Sequence, residues 1–452
     1  MKTIARILSL LSAALSIFLF VRLRSIEQFV WWPLKVLSGS LSGFVSVAGA
    51  VGAVLGLLKH SRLAVIAGAF GALASGNYIR EVVAQHGQFW QAFGPDWRQE
   101  LKENTSEEQR SHMLQKRWQL YMPQAPEPRL EQNVVFWRLP LEKADQPDLL
   151  NTERLLYCDV WRPPEGIHPT GLAFIYLHGG AWYLMDKDMG TRTFFRQLTS
   201  QGHVVMDVAY RMFPETKLGG MVEDAKRAVA WMKANGVKYG VDPEKIVLAG
   251  GSAGAHLALL AAYTPDIPEL TPEDLKGVDT SVRAVVSYYG PSTLLISKWL
   301  DDYNRPLMDN SLSRILENPL VIKISQIAAD LGVNLMKKTG TQEIVVGQKA
   351  TMSALVGGNP GEVPELYDLF SPIAHVNPAS PSTLIFQGTE DVLVPVEEAR
   401  ALYRKLKEND VPVVYIEYPQ TDHGFDLILP EISPPTQAAL YDLERFLALV
   451  QY

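Results

Sequence analysis

The sequence is poor in cysteine and in concentrated positive charge, and each shortage excludes a class of protein. Cys158 is the only cysteine, so an intrachain disulfide cannot form and multi-cysteine zinc sites are excluded. The formal net charge is −7, and the chain lacks the broad basic footprint of a nucleic-acid-binding protein. We find no internal repeat, and no low-complexity tract after position 80. The length of 452 residues allows two or three domains, or one large α/β domain with an appendage.

Positive charge is concentrated at the start of the chain. Residues 1–80 contain eight lysines or arginines and one acidic residue, which gives them a net charge of +7. Because the whole chain has a net charge of −7, positions 81–452 carry a net charge of −14. We divide the chain into a basic, apolar head (residues 1–80), a helical stem ending in a proline-rich linker (residues 81–130) and an acidic body (residues 131–452).

Three uncharged apolar runs fill the head: Ile7–Val21, Val36–Leu58 and Leu63–Ile79. A helix needs roughly 20 apolar residues to cross a hydrocarbon core of about 30 Å. The second run exceeds this length and predicts a transmembrane helix, and the third predicts its partner in a hairpin. The first run is compatible with a further span, a cleaved secretory signal or a helix lying in the interface, although no small-x-small cleavage site ends it. We expect a multi-pass membrane protein, and Arg98 and Lys102 weakly favour a cytoplasmic body under the positive-inside rule.

Small residues recur at four-residue spacing in the head, at Gly39-x-x-x-Gly43, Gly52-x-x-x-Gly56 and Ala67-x-x-x-Gly71. Such spacing lets helix backbones approach closely within lipid. Glycine and alanine are also simply common in membrane helices, so both interpretations stay open.

Short apolar runs with β-forming residues alternate with helical stretches throughout the body. This alternation predicts a mostly parallel central sheet with helices on both faces. Because the proposed catalytic residues all follow position 170, we also expect the body to be soluble and active without the head. The predicted strands are Val134–Leu139, Leu155–Trp161, Leu172–Leu177, Val204–Ala209, Ile246–Ala249, Ala284–Tyr288, Thr383–Phe386 and Val413–Ile416.

The strongest catalytic motif is Gly250-Gly251-Ser252-Ala253-Gly254. It directly follows a predicted apolar strand and opens a predicted helix, which is the context of a nucleophile elbow. The tight turn exposes Ser252 at a helix N-terminus, whose dipole favours developing negative charge. A lone G-x-S-x-G occurs often by chance, and the strand before it and helix after it favour the catalytic interpretation.

A second motif, His178-Gly179-Gly180-Ala181-Trp182, follows the strand that ends at Leu177. A serine hydrolase needs backbone N–H groups that donate to the oxyanion, and one such donor contributes about 3–4 kcal/mol. Small residues at these positions allow the loop to approach the nucleophile. Taken alone, the pair of glycines would indicate only a turn.

The acid and the base are predicted in two loops that follow the last two strands. Asp391 lies in the loop Gly388–Pro395, and His423 lies in Asp422-His423-Gly424-Phe425. The chain order Ser252, Asp391, His423 is that of an α/β-hydrolase triad. In such a triad the histidine takes the serine proton and the aspartate orients the imidazole. Glu390 and Asp422 remain alternatives for the acid, and Asp391 and His423 could instead be a cap and a surface loop residue.

From about residue 150 to 450 the chain resembles the α/β-hydrolase superfamily, in particular hormone-sensitive-lipase-like carboxylesterases and arylacetamide-deacetylase relatives. The motifs that carry this resemblance stand in the family's order. They are the loop at 178–182, Tyr210-Arg211 with Pro214-Glu215, Glu223-Asp224-Ala225, Val241-Asp242-Pro243, and the motifs at 250–254, 388–395 and 422–425.

The resemblance implies the α/β-hydrolase fold and a serine esterase that needs no metal and no organic cofactor. It carries over the triad Ser252, Asp391 and His423. It also implies oxyanion donors at Gly179, Gly180 and Ala253. Ala181 stands where the family often has a third glycine, and its backbone N–H can still donate.

The segment 295–350 departs from the family pattern. A long stretch separates the strand ending near Tyr289 from the point where the family pattern resumes, near Ala354. Insertions at this place form caps in such enzymes, so we expect a helical cap that supplies an acyl pocket. A membrane-contact surface or a dimer surface is the alternative.

Together these features predict a membrane-anchored serine hydrolase that cleaves carboxylic esters of apolar or lipid-like acids through an acyl-enzyme. One alternative keeps the same triad and cleaves amides, as an amidase or deacetylase. The other is a catalytically silent fold used as a membrane scaffold.

Overall fold

The computed structural model describes residues 1–84, 87–140, 153–188, 190–295, 307 and 350–452. Within them, eight strands form one sheet, and each of the eight predicted strands corresponds to one of these. The strands are β1 (Arg129–Pro140), β2 (Glu153–Arg162), β3 (Ala173–Leu177), β4 (Val204–Ala209), β5 (Ile246–Gly251), β6 (Ala284–Tyr288), β7 (Ser382–Gly388) and β8 (Val413–Tyr418).

The order of the strands across the sheet is β1-β2-β4-β3-β5-β6-β7-β8. Strand β2 pairs antiparallel with β1 and β4, whereas β3 to β8 run parallel to one another. Alternate side chains of β3 enter opposite cores: Ile175 and Leu177 on one face, Phe174 and Tyr176 on the other. The mostly parallel sheet with two buried faces confirms the predicted α/β architecture.

Helices supply the other half of both cores. In the body, α9, α10 and α13 cover one face of the sheet, and α8 and α14 cover the other. The α-helices of the described residues are α1 (Lys2–Phe18), α2 (Trp32–Ser40), α3 (Ser42–Leu58), α4 (Arg62–Val83), α5 (Phe89–Phe93), α6 (Trp97–Glu103), α7 (Glu107–His112), α8 (Arg192–Ser200), α9 (Leu218–Asn235), α10 (Ala253–Tyr263), α11 (Met352–Val356), α12 (Pro364–Leu369), α13 (Val396–Glu408) and α14 (Pro434–Val450). Short 3-10 helices span Ile26–Trp31, Gly236–Tyr239, Pro268–Leu270, Glu273–Leu275 and Pro372–His375.

The head differs from the prediction in its second apolar run. Val36–Leu58 was expected to form one transmembrane helix, but α2 ends at Ser40 and α3 begins at Ser42, with a bend of 69° between the two segments. Among the described residues no single helix is long and apolar enough to cross a bilayer. The bent pair Gln28–Ser40 and Ser42–Leu58 meets the length and composition requirements only when its two parts are taken together.

Helices α1, α3 and α4 pack against one another through small and hydroxyl side chains. A Cβ added to Gly68 of α4 would lie 2.5 Å from the carbonyl oxygen of Gly49 of α3, so these two helices are in backbone contact. Ser12 Oγ donates to the carbonyl oxygen of Val45 at 2.8 Å, and Ser16 Oγ lies 2.8 Å from Ser75 Oγ. Of the small-residue motifs, Gly52, Gly56 and Gly71 approach Ser9, Ala64 and Ser12 closely, whereas Gly39 and Gly43 face Tyr78 and Trp118.

Large apolar side chains cover the outside of this three-helix bundle. They are exposed although they are among the most hydrophobic residues of the chain. The set comprises Ile4, Ile7, Leu10, Leu11, Ile17, Val47, Val51, Val54, Leu57, Leu63, Ile66, Phe70 and Leu73.

The stem is not a free linker, because it packs along the last helix of the body. The backbone N–H of Leu114 donates to Glu444 at 2.7 Å, and Arg117 pairs with Asp442. Helix α4 contributes Tyr78 to the same hydrophobic core as α14. One core thus crosses the predicted boundaries at residues 80 and 130, and the division into three domains stays a prediction. The expected cap at 295–350 lies outside the described residues, except for positions 295, 307 and 350.

Candidate active site

The nucleophile turn connects β5 to α10 with a strained serine. Ser252 has φ +54° and ψ −120°, a backbone conformation that non-glycine residues rarely adopt. Its N–H donates to the carbonyl oxygen of Tyr288 at 2.9 Å. Glycine is required on both sides, since a Cβ on Gly250 would lie 2.3 Å from the carbonyl carbon of Gly254, and one on Gly254 would lie 2.1 Å from the carbonyl oxygen of Leu177. The local structure is the predicted strand–turn–helix elbow.

The predicted acid and base are in direct contact. His423 Nδ1 lies 2.8 Å from Asp391 Oδ2, and both residues are buried. Asp391 Oδ1 accepts from the backbone N–H groups of Leu393 and Val394 at 2.9 and 2.7 Å, and Gln387 Nε2 donates to Oδ2 at 3.0 Å. The carboxylate is therefore fixed by its own loop, with one oxygen presented to the imidazole.

The two alternative acids contact other groups. Asp422 Oδ1 accepts from the backbone N–H groups of Val392 at 2.9 Å and of His423 at 2.8 Å. Glu390 pairs with Lys35 of the head at 2.5 Å. Burial, and then the negative charge of Asp391, raises the pKa of the Asp422 carboxyl to about 6. Of the three carboxylates, the geometry favours Asp391 as the partner of the imidazole.

Tyr289 lies between the nucleophile turn and the histidine, and the sequence analysis did not single it out. Its ring centroid is 4.5 Å from that of His423, and its hydroxyl donates to Asp426 Oδ1 at 2.5 Å. Burial raises the pKa of the Asp426 carboxyl. Within the part of the chain that the structure describes, no hydrogen bond joins the Ser252 hydroxyl to the His423 ring. The position of Tyr289, directly after strand β6, was the signal available in the sequence.

The loop after β3 lies against the nucleophile turn. A Cβ on Gly179 would be 3.3 Å from Ser252 Cβ, and one on Gly180, where φ is +123°, would be 2.0 Å from the carbonyl oxygen of Leu184. Ala181, which stands where the family often has a third glycine, has a positive φ of +50°. Ala253 begins α10, and the backbone N–H of a first helical residue has no acceptor within its own helix. Of the three predicted oxyanion donors, Gly179 and Ala253 border Ser252, and Gly180 follows Gly179 in the same loop. Their role stays a prediction.

Residues of the body hold the loop after β3 in place through His178 and Trp182. The ring of His178 stacks on that of Tyr210 at 4.5 Å, and Tyr210 donates its hydroxyl proton to the His178 carbonyl oxygen at 2.9 Å. Burial lowers the pKa of His178 to about 4, so this histidine is neutral at pH 7. Trp182 Nε1 donates to His256 Nδ1 at 3.3 Å.

These elements meet at one edge of the sheet, because parallel strands present their carboxyl ends together. Within the described residues, no group of three or more histidine, cysteine, aspartate or glutamate side chains is arranged to hold a metal ion. The strand order, the elbow and the buried acid–base pair define the chain as an α/β-hydrolase.

The chain belongs to the BD-FAE family, whose model matches residues 158–321 and 303–406. It is 31% identical over 300 residues to the probable carboxylic ester hydrolase LipM of Mycobacterium tuberculosis, covering 66% of this chain and 59% of LipM. It is 27% identical over 347 residues to the esterase LipQ of the same organism, covering 76% of this chain and 69% of LipQ.

A likeness to a solved structure is weaker. The sarin-phosphonylated form of Thermogutta terrifontis esterase 2 superposes with a TM-score of 0.48 at 20% identity, covering 71% of this chain and 94% of the esterase.

Proposed function

We propose that this protein is a membrane-anchored carboxylic ester hydrolase with Ser252 as nucleophile. The observation that carries the proposal is the strained elbow at Ser252 with the glycine loop beside it, together with the hydrogen-bonded Asp391–His423 pair at the same edge of the sheet. The relatives LipM, a probable carboxylic ester hydrolase, and LipQ, an esterase, support the same reaction class.

In the proposed reaction His423 takes the proton of the Ser252 hydroxyl as its oxygen attacks the ester carbonyl carbon. The tetrahedral oxyanion accepts hydrogen bonds from the loop and elbow N–H groups. His423 then returns the proton to the departing alcohol, which leaves an acyl-enzyme. Water, deprotonated by His423, attacks this acyl group and releases the acid and the free serine. Asp391 holds the imidazole in the required tautomer.

Membrane anchoring is proposed from the surface of the head. Its large apolar side chains point outward, and its small and hydroxyl side chains point inward, an arrangement that suits lipid rather than water as the surrounding medium. Helices α1 and α3, of 17 residues each, are about 26 Å long at roughly 1.5 Å per residue. That length approaches the hydrocarbon thickness of about 30 Å. A site attached to such an anchor is suited to apolar or lipid-like esters.

Hydrolysis of matched ester and anilide substrates by the purified full chain tests the reaction class. We expect p-nitrophenyl esters to be cleaved faster than the corresponding anilides, and a fluorophosphonate probe to label Ser252. A clear preference for anilides would replace the esterase with an amidase. Failure of the probe to label the folded protein would contradict a catalytic role for Ser252 altogether.

A further inference from the structure

Helix α2 of the head lies directly on the two loops that carry the predicted acid and base. The indole N–H of Trp32 donates to the carbonyl oxygen of His423 at 2.6 Å. The Trp32 ring also occupies the space beside Gly424, where an added Cβ would lie 3.0 Å from it. At the other end of α2, Ser40 Oγ donates to the carbonyl oxygen of Ile428 at 2.7 Å. The histidine loop is therefore held from outside the body.

The aspartate loop has its own contacts with the head. Leu23 and Phe29 form a small hydrophobic cluster with Val392, the residue that follows Asp391. Lys35, which is 3% exposed, places its ammonium group 2.5 Å from Glu390 Oε2 and 3.7 Å from Asp422 Oδ2.

Asp422 connects the two loops, and Lys35 supplies its countercharge. One carboxylate oxygen accepts hydrogen bonds from two backbone N–H groups. One belongs to Val392, which follows the predicted acid Asp391, and the other to the predicted base His423. The other oxygen has no hydrogen-bond partner among the described residues. A buried carboxylate without a compensating charge is costly. Loss of the Lys35 ammonium group would therefore favour protonation or displacement of the carboxylate that joins both loops.

We propose that Lys35 and Trp32 are positioning residues of the esterase site, through which the head holds the Asp391 and His423 loops in register. This inference rests on the proposed function and extends it, because it makes the anchor a working part of the site. The groups that act on Asp422 are the charges of Asp391 and Lys35 and the backbone N–H groups of Val392 and His423. Glu390 shares Lys35 with Asp422, and the Tyr78 hydroxyl of α4 lies 3.2 Å from that of Thr421, which precedes Asp422.

Kinetics of Lys35→Met in the full chain, in detergent, test the proposal with a p-nitrophenyl ester. We expect kcat to fall by about 10- to 100-fold, as misplaced catalytic groups cause, with a smaller change in KM. Lys35→Arg keeps the charge and should recover most of the rate. Lys59→Met, at the far end of the bundle, is the matched control and should behave as wild type.

The pH profile separates positioning from general destabilisation. Asp422 contributes to the acidic limb of kcat, because its protonation removes the charge that both attracts Lys35 and strengthens the hydrogen bonds from the two N–H groups. Burial and the negative charge of Asp391 raise the pKa of Asp422 to about 6. Loss of the Lys35 charge raises this pKa further, so activity should be lost at a higher pH in Lys35→Met. The double variant Lys35→Met with Asp422→Asn should reverse that shift.

The outcomes are distinguishable. An inactive wild-type protein that the fluorophosphonate probe does not label contradicts the proposed function itself. An active wild type with a folded Lys35→Met variant of unchanged kcat and pH profile overturns only the positioning role. If Lys35→Met does not fold, Trp32→Phe decides, because it removes one N–H and little volume. A wild-type kcat in that variant overturns the proposal, and a reduced kcat in the folded variant supports it.

Discussion

At the scale of single residues, two neighbouring carboxylates have different partners. Asp391 presents an oxygen to the imidazole ring, whereas Asp422 accepts only backbone N–H groups and faces Lys35. Both follow strands at the same edge of the sheet, so position alone does not separate them. The difference lies in which atoms each carboxylate can reach.

Replacing the nucleophile should abolish turnover and leave the fold intact. Ser252 holds the elbow through its backbone N–H, which Ser252→Ala retains. We expect a loss of about 10⁴- to 10⁶-fold in kcat, the range found for triad knockouts. Ester hydrolysis with a thermal-unfolding control measures this, and Ser281→Ala, in a surface turn, is the matched control. Retention of a tenth of wild-type activity would assign the nucleophile elsewhere.

Asp391→Asn should be far more damaging than Asp422→Asn. An amide at the acid position can select the wrong imidazole tautomer, which cost about 10⁴-fold in kcat in a serine protease. An amide at position 422 still offers an oxygen to the N–H groups of Val392 and His423. The ratio of kcat values at pH 8, where Asp422 of the wild type is ionised, makes the comparison. A larger loss for Asp422→Asn would mean that the orienting acid has been misassigned.

The residues of the site that follow strands could be predicted from the sequence, and those that reach it from elsewhere could not. Ser252, Asp391 and His423 each lie in a recognisable motif after an apolar strand. Lys35 is a lone cation between apolar runs, so its sequence context indicates only a membrane-flanking residue. Its contact with Glu390 joins positions 355 residues apart, which no local pattern encodes.

At the scale of secondary-structure elements, the three helices of the head have their large side chains outside and their small ones inside. Two of the three small-residue motifs, at Gly52-x-x-x-Gly56 and Ala67-x-x-x-Gly71, make close contacts between helices. The continuous helix over Val36–Leu58 was wrong, because uniform hydropathy does not record a change of packing partner. Helix α2 packs on the body, whereas α3 packs on α1 and α4, and the bend at Leu41 lies where the partner changes.

Alanine substitutions at two glycines of α4 should have opposite effects on the head. A Cβ on Gly68 would lie 2.5 Å from the backbone oxygen of Gly49, whereas one on Gly76 would meet only Ser46 Oγ at 3.6 Å. Gly68→Ala should therefore force the helices apart, at a cost of about 1–3 kcal/mol as for overpacked cores. Gly76→Ala should be neutral or slightly stabilising, because alanine favours helix by roughly 1 kcal/mol.

Thermal unfolding of both glycine variants in the same detergent gives the comparison. A lower melting temperature for Gly68→Ala alone is the expected result. Equal melting temperatures would show that the bundle is looser than its backbone contacts indicate.

At the scale of the whole molecule, head, stem and body share buried surface. Tyr78 and Val82 of α4, Phe89 and Leu114 of the stem, and α14 belong to one hydrophobic core. Charge and hydropathy change at residue 80, but residues on both sides of that position pack in the same hydrophobic core. Contacts between distant segments leave no local pattern in the sequence. The sequence alone therefore predicted a body that folds without the head, and these contacts do not favour that prediction.

Deletion of residues 1–80 should therefore inactivate the protein, contrary to the expectation from sequence. The deletion removes Trp32 and Lys35 from the loops of the acid and base, and it exposes the apolar surfaces that Leu19 and Tyr78 cover. We expect the truncated chain to aggregate, or to fold with kcat reduced at least as much as in Lys35→Met.

A milder deletion of residues 1–17, which keeps α2 with its loop contacts, is the informative companion, since it removes most of one bundle helix only. Ester hydrolysis and fractionation after high-salt washing measure both properties. A soluble, fully active chain beginning at residue 81 would show that the head only anchors the protein.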